Sequence, residues 1–146
     1  MAKRKKKTAR QLIAKRLEDL CRKLVARRDK YKCQKCGVDL RAGGRHVHHI
    51  RERARSILLM WDLLNLILFC RDCHCWATHD AVGADRWLAE NFPHMHKYQW
   101  EVIECPKTGR EMPRRNCLKS WKADELKAME ADYKEQLKNW NDLETY

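Results

Sequence analysis

Two cysteine pairs, CQKC at residues 33–36 and CRDC at 70–73, constrain this chain more than anything else in its 146 residues. A C-x2-C turn can bring both of its sulfurs to one ion at about 2.3 Å, and two such turns complete a tetrahedron. Cys33, Cys36, Cys70 and Cys73 are therefore expected to hold a structural Zn2+, with no coordination position left for chemistry. The ion would staple segments separated by 33 residues, which suits a small domain with 5 glycines and no disulfide framework. Eight cysteines, an even number, could also suggest disulfides. The basic N-terminus, however, has no apolar run behind it and does not read as a secretory signal. Metal binding in a reducing compartment is the expectation. Cys21, Cys75, Cys105 and Cys117 then read as free thiols, with a second metal site from Cys105 and Cys117 as the alternative.

The length suits one domain of α+β class. Three parts are expected: a basic helical arm over 1–30, a zinc-stapled core over 31–82, and a mainly helical extension over 83–146 packed on the same domain. The most apolar stretch, ILLMWDLLNLILFC at 57–70, is shorter than a membrane span and contains Asp62 and Asn65. No membrane partner is expected, and the chain reads as intracellular. The net charge of +12 is concentrated at one end. Residues 1–32 hold 14 Lys and Arg against Glu18, Asp19 and Asp29, while the other 114 residues hold 18 basic and 17 acidic side chains. Such an arm attracts polyanions through counterion release. Lys5, Lys6, Lys7 and Arg10 are the expected contacts to a nucleic-acid backbone, a solubilising tail being the bland alternative.

Periodicity places the elements. Ile13, Leu17, Leu20 and Leu24 form one stripe of a helix over 8–30, and YKCQKCG at 31–37 follows as a knuckle. RAGGR at 41–45 is a turn leading into a strand, HVHHI at 46–50; residues 51–65 are ambiguous between loop and short helix. LILF at 66–69 reads as a buried strand, and CRDCHCWATHDA at 70–81 as a second knuckle entering a helix. A short helix over 83–93 should stop before Pro93, and KYQWEVIE reads as a strand. Residues 121–143 form the last helix, with Leu126, Met129, Tyr133, Leu137 and Trp140 on one stripe and Glu130 four before Lys134.

HVHHI spends three of the seven histidines in five residues. Strand alternation puts His46 and His48 on one face and His49 on the other, so neighbours can do different jobs. Downstream come Asn65, then His74 directly after the second C-x2-C, then His79. HHI at 48–50, Asn65 in LLNLILFC and CRDCH at 70–74 together resemble the HNH endonuclease family over about residues 31–81. That family's core is a ββα-metal finger. In wider outline the leading basic helix, RRDKYKCQKCG and LLMWDLLN also resemble phage NinG-type recombination nucleases, which often carry Asn where His74 stands.

The resemblance implies a metal-dependent DNA endonuclease that leaves 5′-phosphate and 3′-hydroxyl ends. It implies His49 as general base, Asn65 as a positioning residue, and His48 and His74 as ligands of a catalytic divalent ion, with His79 completing the set. His74 to His79 is an i+5 step, about 140° around a helix, so Asp80 or water is the alternative to His79. His-ligated centres of this kind accept Mg2+, Mn2+, Ni2+ or Zn2+. Arg51, Arg53 and Arg55 either clamp phosphate beside the scissile bond or form a solvated charged stretch. His46 reads as exposed and incidental, and His94 and His96 as surface residues. The expected partner is duplex or branched DNA, met by a monomer or homodimer in the host cytoplasm if the chain is phage-encoded. The rival expectation is a zinc-stapled DNA-binding protein whose nuclease centre is vestigial or regulatory.

Overall fold

A computed structural model describes residues 6–144, so Lys5 lies outside the described residues. The fold is α+β: five α-helices and two small antiparallel sheets among those residues. No described helix is long and apolar enough to cross a membrane. The chain divides into two compact units, Met1–Leu24 with Trp121–Tyr146, and Val25–Ser120. The division falls inside the first helix, α1 (Ala9–Arg28), whose last turn belongs to the second unit.

In the unit formed by the two chain ends, the expected stripe of α1 is buried at Ile13, Leu17, Leu20 and Leu24. The last helix, α5 (Ala123–Glu144), buries Leu126 and Tyr133. It also buries Glu130, a charge that needs partners. Arg16 of α1 supplies a two-toothed contact at 2.7 and 3.2 Å, and Lys134, one turn on, approaches to 2.8 Å. These cations hold the Glu130 carboxyl down to about 2, Arg16 contributing most.

The unit Val25–Ser120 is built around a hairpin. Strand β1 (His46–His49) pairs antiparallel with β2 (Leu66–Phe69), in the register His46↔Phe69 to His49↔Leu66. All four residues of β2 are buried, which fits its unbroken apolar run. Helix α1 ends with the Lys30 amide donating to the Arg27 carbonyl and the Tyr31 amide to the Ala26 carbonyl, a Schellman closure. Just before that turn, the Leu68 amide donates to the buried Asp29 carboxylate at 2.9 Å. Helix α2 (Arg71–His79) then starts directly from β2, with Cys70 as its N-cap.

The helix expected to stop before Pro93 does so, as α3 (Ala81–Asn91), and one expectation about 94–104 is corrected: Pro93 opens a further helix, α4 (Pro93–Trp100). Proline's fixed φ and missing N–H suit the first turn, where no intrahelical partner is needed. KYQW is accordingly the end of α4, and the strand is confined to β3 (Val102–Glu104), paired with β4 (Glu111–Pro113).

The Glu130 cluster sets a pH dependence. A carboxyl held below its ordinary value stabilises the fold above about pH 4.5, and that contribution is lost as pH falls towards 2. Glu130→Gln should therefore lower the melting temperature at pH 6–7. The gap to wild type should close as thermal scans are taken towards pH 3.

Candidate metal centres

The cysteine quartet assembles as its spacing predicts. Cys33 opens a tight knuckle in which its amide donates to Val38 and the Gly37 amide donates back to the Cys33 carbonyl at 2.8 Å. Gly37 takes φ +78°, a conformation that costs a glycine little. The Gln34 amide donates to the Leu68 carbonyl, which fixes the knuckle against β2. Cys70 and Cys73 sit on the first turn of α2, where the Cys73 amide donates to Cys70 Sγ at 3.4 Å. One sulfur from each of the four residues lies within 4.8 Å of the others.

The donor set fits zinc. Cys36 and Cys70 sulfurs are 3.8 Å apart, and metal–sulfur bonds of about 2.3 Å at tetrahedral angles require edges of about 3.8 Å. The thiols also need a cation to ionise together. Burial would raise Cys33, but the amides of Cys36, Cys70 and Lys35 outweigh it and hold that thiol down to about 7. Cys73 is pushed well up, by burial first and then by the neighbouring thiols. Four thiolates in this space repel one another, and a divalent ion removes the repulsion. The four cysteines can therefore bind a zinc ion, and with four protein ligands the site is closed.

The histidines gather at the same end of α2. Alternation along β1 brings both His46 and His48 to α2, with ring centroids 5.3 and 5.2 Å from His74. His48 also stacks on Phe69 at 5.5 Å. Burial pushes His48 down to about 4, assisted by His74 and His49, and burial lowers His74 as well. Both rings are thus neutral near pH 7, the state in which imidazole ligates metal. His46, set aside from sequence as exposed, is half-buried. The signal that could have found it is the H-x-H spacing itself, which puts two imidazoles on one strand face. Among the described residues only the cysteine quartet has three or more ligand atoms converged within 4.8 Å. The histidine rings adjoin, and a side-chain rotation would be needed to turn their nitrogens to one point.

His49 and Asn65 occupy positions suited to distinct tasks. His49 Nε2 is 3.0 Å from the Met60 carbonyl. A carbonyl only accepts, so Nε2 carries the proton and Nδ1 is the basic nitrogen of the neutral ring. Asn65 is fully buried, and its amide clasps Arg51: Oδ1 accepts from the Arg51 amide at 2.8 Å while Nδ2 donates to the Arg51 carbonyl at 3.1 Å. Nδ2 also donates to Leu59, and Gln99 donates to Oδ1. The side chain thus fixes the chain two residues beyond His49.

His79, at the end of α2, is exposed, with Nδ1 2.7 Å from the Cys75 carbonyl. The rings that meet His48 are those of Phe69 and His74. His48 and His49 line one cleft with Arg51, Arg55, Asp85 and Arg115. Arg51 is half-buried and donates to the Arg115 carbonyl at 3.2 Å, whereas Arg53 and Arg55 are exposed. Arg115 pairs with Asp85 at 3.3 Å and lies over Trp100. It comes from a segment without periodicity, so sequence reasoning had no means of assigning it. Lys6, Lys7 and Arg10 are exposed at the start of α1.

Two measurements follow from these centres. Metal analysis of the purified protein should find tightly held zinc, and stripping it should abolish cooperative unfolding of the Val25–Ser120 unit. Structural zinc binding is worth roughly 10–16 kcal/mol in small zinc-finger peptides, as much as a whole domain's stability. Asn65→Ala should cost roughly 2–4 kcal/mol in denaturant melts, because it leaves buried backbone groups without partners. No family model, no curated protein and no solved structure matches this chain.

Proposed function

We propose that the chain is a metal-dependent DNA endonuclease of the HNH type, with β1, β2 and α2 as a ββα-metal core. The observation that carries this reading is the approach of His48 and His74, rings 5.2 Å apart, beside a His49 whose basic nitrogen is set by Met60. Phosphodiester hydrolysis needs a water deprotonated in line with the leaving oxygen, and positive charge where the phosphorane develops. When bound, a divalent ion such as Mg2+, Mn2+, Ni2+ or Zn2+ supplies that charge.

The chain's own residues divide the remaining tasks. His48 and His74 hold the ion, with His46 in reach as a third imidazole. His49 Nδ1 takes the proton from the attacking water, and the Nε2–H bond to Met60 orients the ring and steadies the imidazolium formed. Asn65 holds the Arg51 peptide and, through it, the strand end that carries His49. Arg51, Arg55 and Arg115 line the same cleft and offer guanidinium groups to phosphates. The water oxygen bonds to phosphorus as the bond to the 3′-oxygen breaks, and that oxygen takes a proton from solvent, leaving 5′-phosphate and 3′-hydroxyl ends. The excess charge of residues 1–32 adds a sequence-independent attraction for duplex or branched DNA inside the cell, phage-encoded or not.

A second reading keeps the zinc staple and DNA binding but makes the histidine centre vestigial or regulatory. The place of His79, bonded to the Cys75 carbonyl, favours it. Metal counting separates the two: one zinc per chain fits the second reading, and an additional exchangeable ion fits the enzyme.

Supercoiled plasmid with added Mg2+, Mn2+ or Ni2+ tests the proposal. Wild type should nick or linearise it, and His49→Ala should bind equally but cut at least about 100-fold more slowly. Binding by both proteins with no cleavage of plasmid or branched DNA would hand the case to the vestigial reading.

A further inference from the structure

The segment CPKTGREMPRRNC, residues 105–117, has no part in the proposed nuclease centre beyond Arg115. Its two ends meet. Cys105 follows β3, Cys117 follows a short 3-10 turn, Arg114–Asn116, and their sulfurs lie 2.7 Å apart. Both residues are fully buried, at 1% and 0% exposure. The turn between them is well determined: the Cys105 amide donates to Arg110, and the Thr108 and Gly109 amides donate to the Cys105 carbonyl.

The separation discriminates between the roles two thiols can share. Two thiolates on one zinc stand about 3.8 Å apart, the spacing that Cys36 and Cys70 show. At 2.7 Å, Cys105 and Cys117 are too close for a shared ion, and no third His, Cys, Asp or Glu joins them in a metal-binding group among the described residues. Thiols in a hydrogen bond also keep a wider distance, whereas an S–S bond needs about 2.05 Å. We infer that Cys105 and Cys117 are a redox pair that closes into an intramolecular disulfide, joining the end of β3 to the turn that carries Arg115. The pairing is a property of the two thiols and stands whether or not the chain cuts DNA.

The electron balance requires an oxidant, and a low-molecular-weight disulfide such as oxidised glutathione supplies it. The Cys105 thiolate attacks one glutathione sulfur and expels a glutathione thiolate. Cys117 then loses its proton and attacks the Cys105 sulfur of the mixed disulfide, expelling the second glutathione. Two protein thiols become one disulfide, and one oxidised glutathione becomes two reduced molecules. The Cys117 contact holds the Cys105 thiol down to about 7, with the Lys107 and Thr108 amides adding to it against burial, so Cys105 is the attacking member. Access comes through local opening of the hairpin, whose residues 106–111 are all exposed. In the closed form a covalent bond holds the turn whose Arg115 lines the cleft with His48 and His49. In the open form hydrogen bonds alone hold it.

The test uses the full-length, zinc-loaded protein, equilibrated in glutathione mixtures from fully reduced to fully oxidised. Samples are alkylated in denaturant, digested and mapped by mass spectrometry. The expected result is a peptide pair linked through Cys105 and Cys117, two hydrogen masses light, with zinc content unchanged and Cys33, Cys36, Cys70 and Cys73 unlinked. Cys117→Ser should instead trap Cys105 as its mixed disulfide with glutathione. The inference is overturned if wild-type Cys105 and Cys117 are alkylated separately across the whole series, or if zinc rather than a sulfur–sulfur bond protects them.

Discussion

The carboxylate of Asp29 is buried at the end of α1, and the placing of the hairpin depends on it. One oxygen accepts the Leu68 amide in the middle of β2; the Arg28 guanidinium grips both, at 2.7 and 3.0 Å. The same guanidinium donates to the Leu63 and Leu66 carbonyls at 2.7 and 2.6 Å. Two adjacent residues of one helix end therefore satisfy three backbone groups around β2, either side of Asn65. Burying this pair costs desolvation, which the complete set of partners offsets; removing one partner would leave an uncompensated charge worth roughly 3–5 kcal/mol. Because β2 runs directly into α2, fixing β2 also fixes Cys70, Cys73 and His74.

That continuity places two side-chain clusters at one short segment. From Cys70 onward, α2 turns its first residues in different directions about its axis. Cys70 and Cys73 meet the knuckle of Cys33 and Cys36, while His74, the next residue, meets β1. On β1 the period of two brings His46 and His48 to the same helix residue. The two ring centres stand 5.3 and 5.2 Å from that of His74. Burial keeps His48 neutral, so no proton competes for its lone pair near neutral pH. A zinc staple at the start of α2 would thus steady the residue, His74, that meets His46 and His48.

The features legible in the sequence are those with a local cause. Both C-x2-C turns, the LILF strand, the stripe of α1 and the Glu130–Lys134 pair follow from spacing alone, and each has the expected local form. KYQW ends a helix rather than opening a strand because its local signal fits both structures, and packing decides. Met95 and Gln99 are buried on α4, and Gln99 donates to Asn65, a contact no periodicity announces. His46 reads as incidental from sequence because nothing local announces the helix that comes to meet its strand face. Arg115 and Asp85 are 30 residues apart in sequence, and their 3.3 Å pairing in the cleft follows from no local pattern.

The two kinds of cysteine pair show how geometry decides the fate of a thiol. In the quartet, the two knuckles approach from separate elements, and the amides at their turns point at the sulfurs. The Cys36 and Cys70 sulfurs stop 3.8 Å apart, with room for an ion among the four. Coordination to a cation draws charge from the four thiolates and makes each a weaker nucleophile. Cys105 and Cys117 come from one hairpin closed on itself, and at 2.7 Å nothing fits between them. One thiol is lowered and the other raised, an asymmetry that suits attack by one sulfur and proton retention by its partner. Bound zinc makes oxidation of the first set slow, whereas closeness makes oxidation of the second set intramolecular once a first bond has formed. The same chain can therefore keep its staple reduced and its hairpin redox-responsive in one compartment.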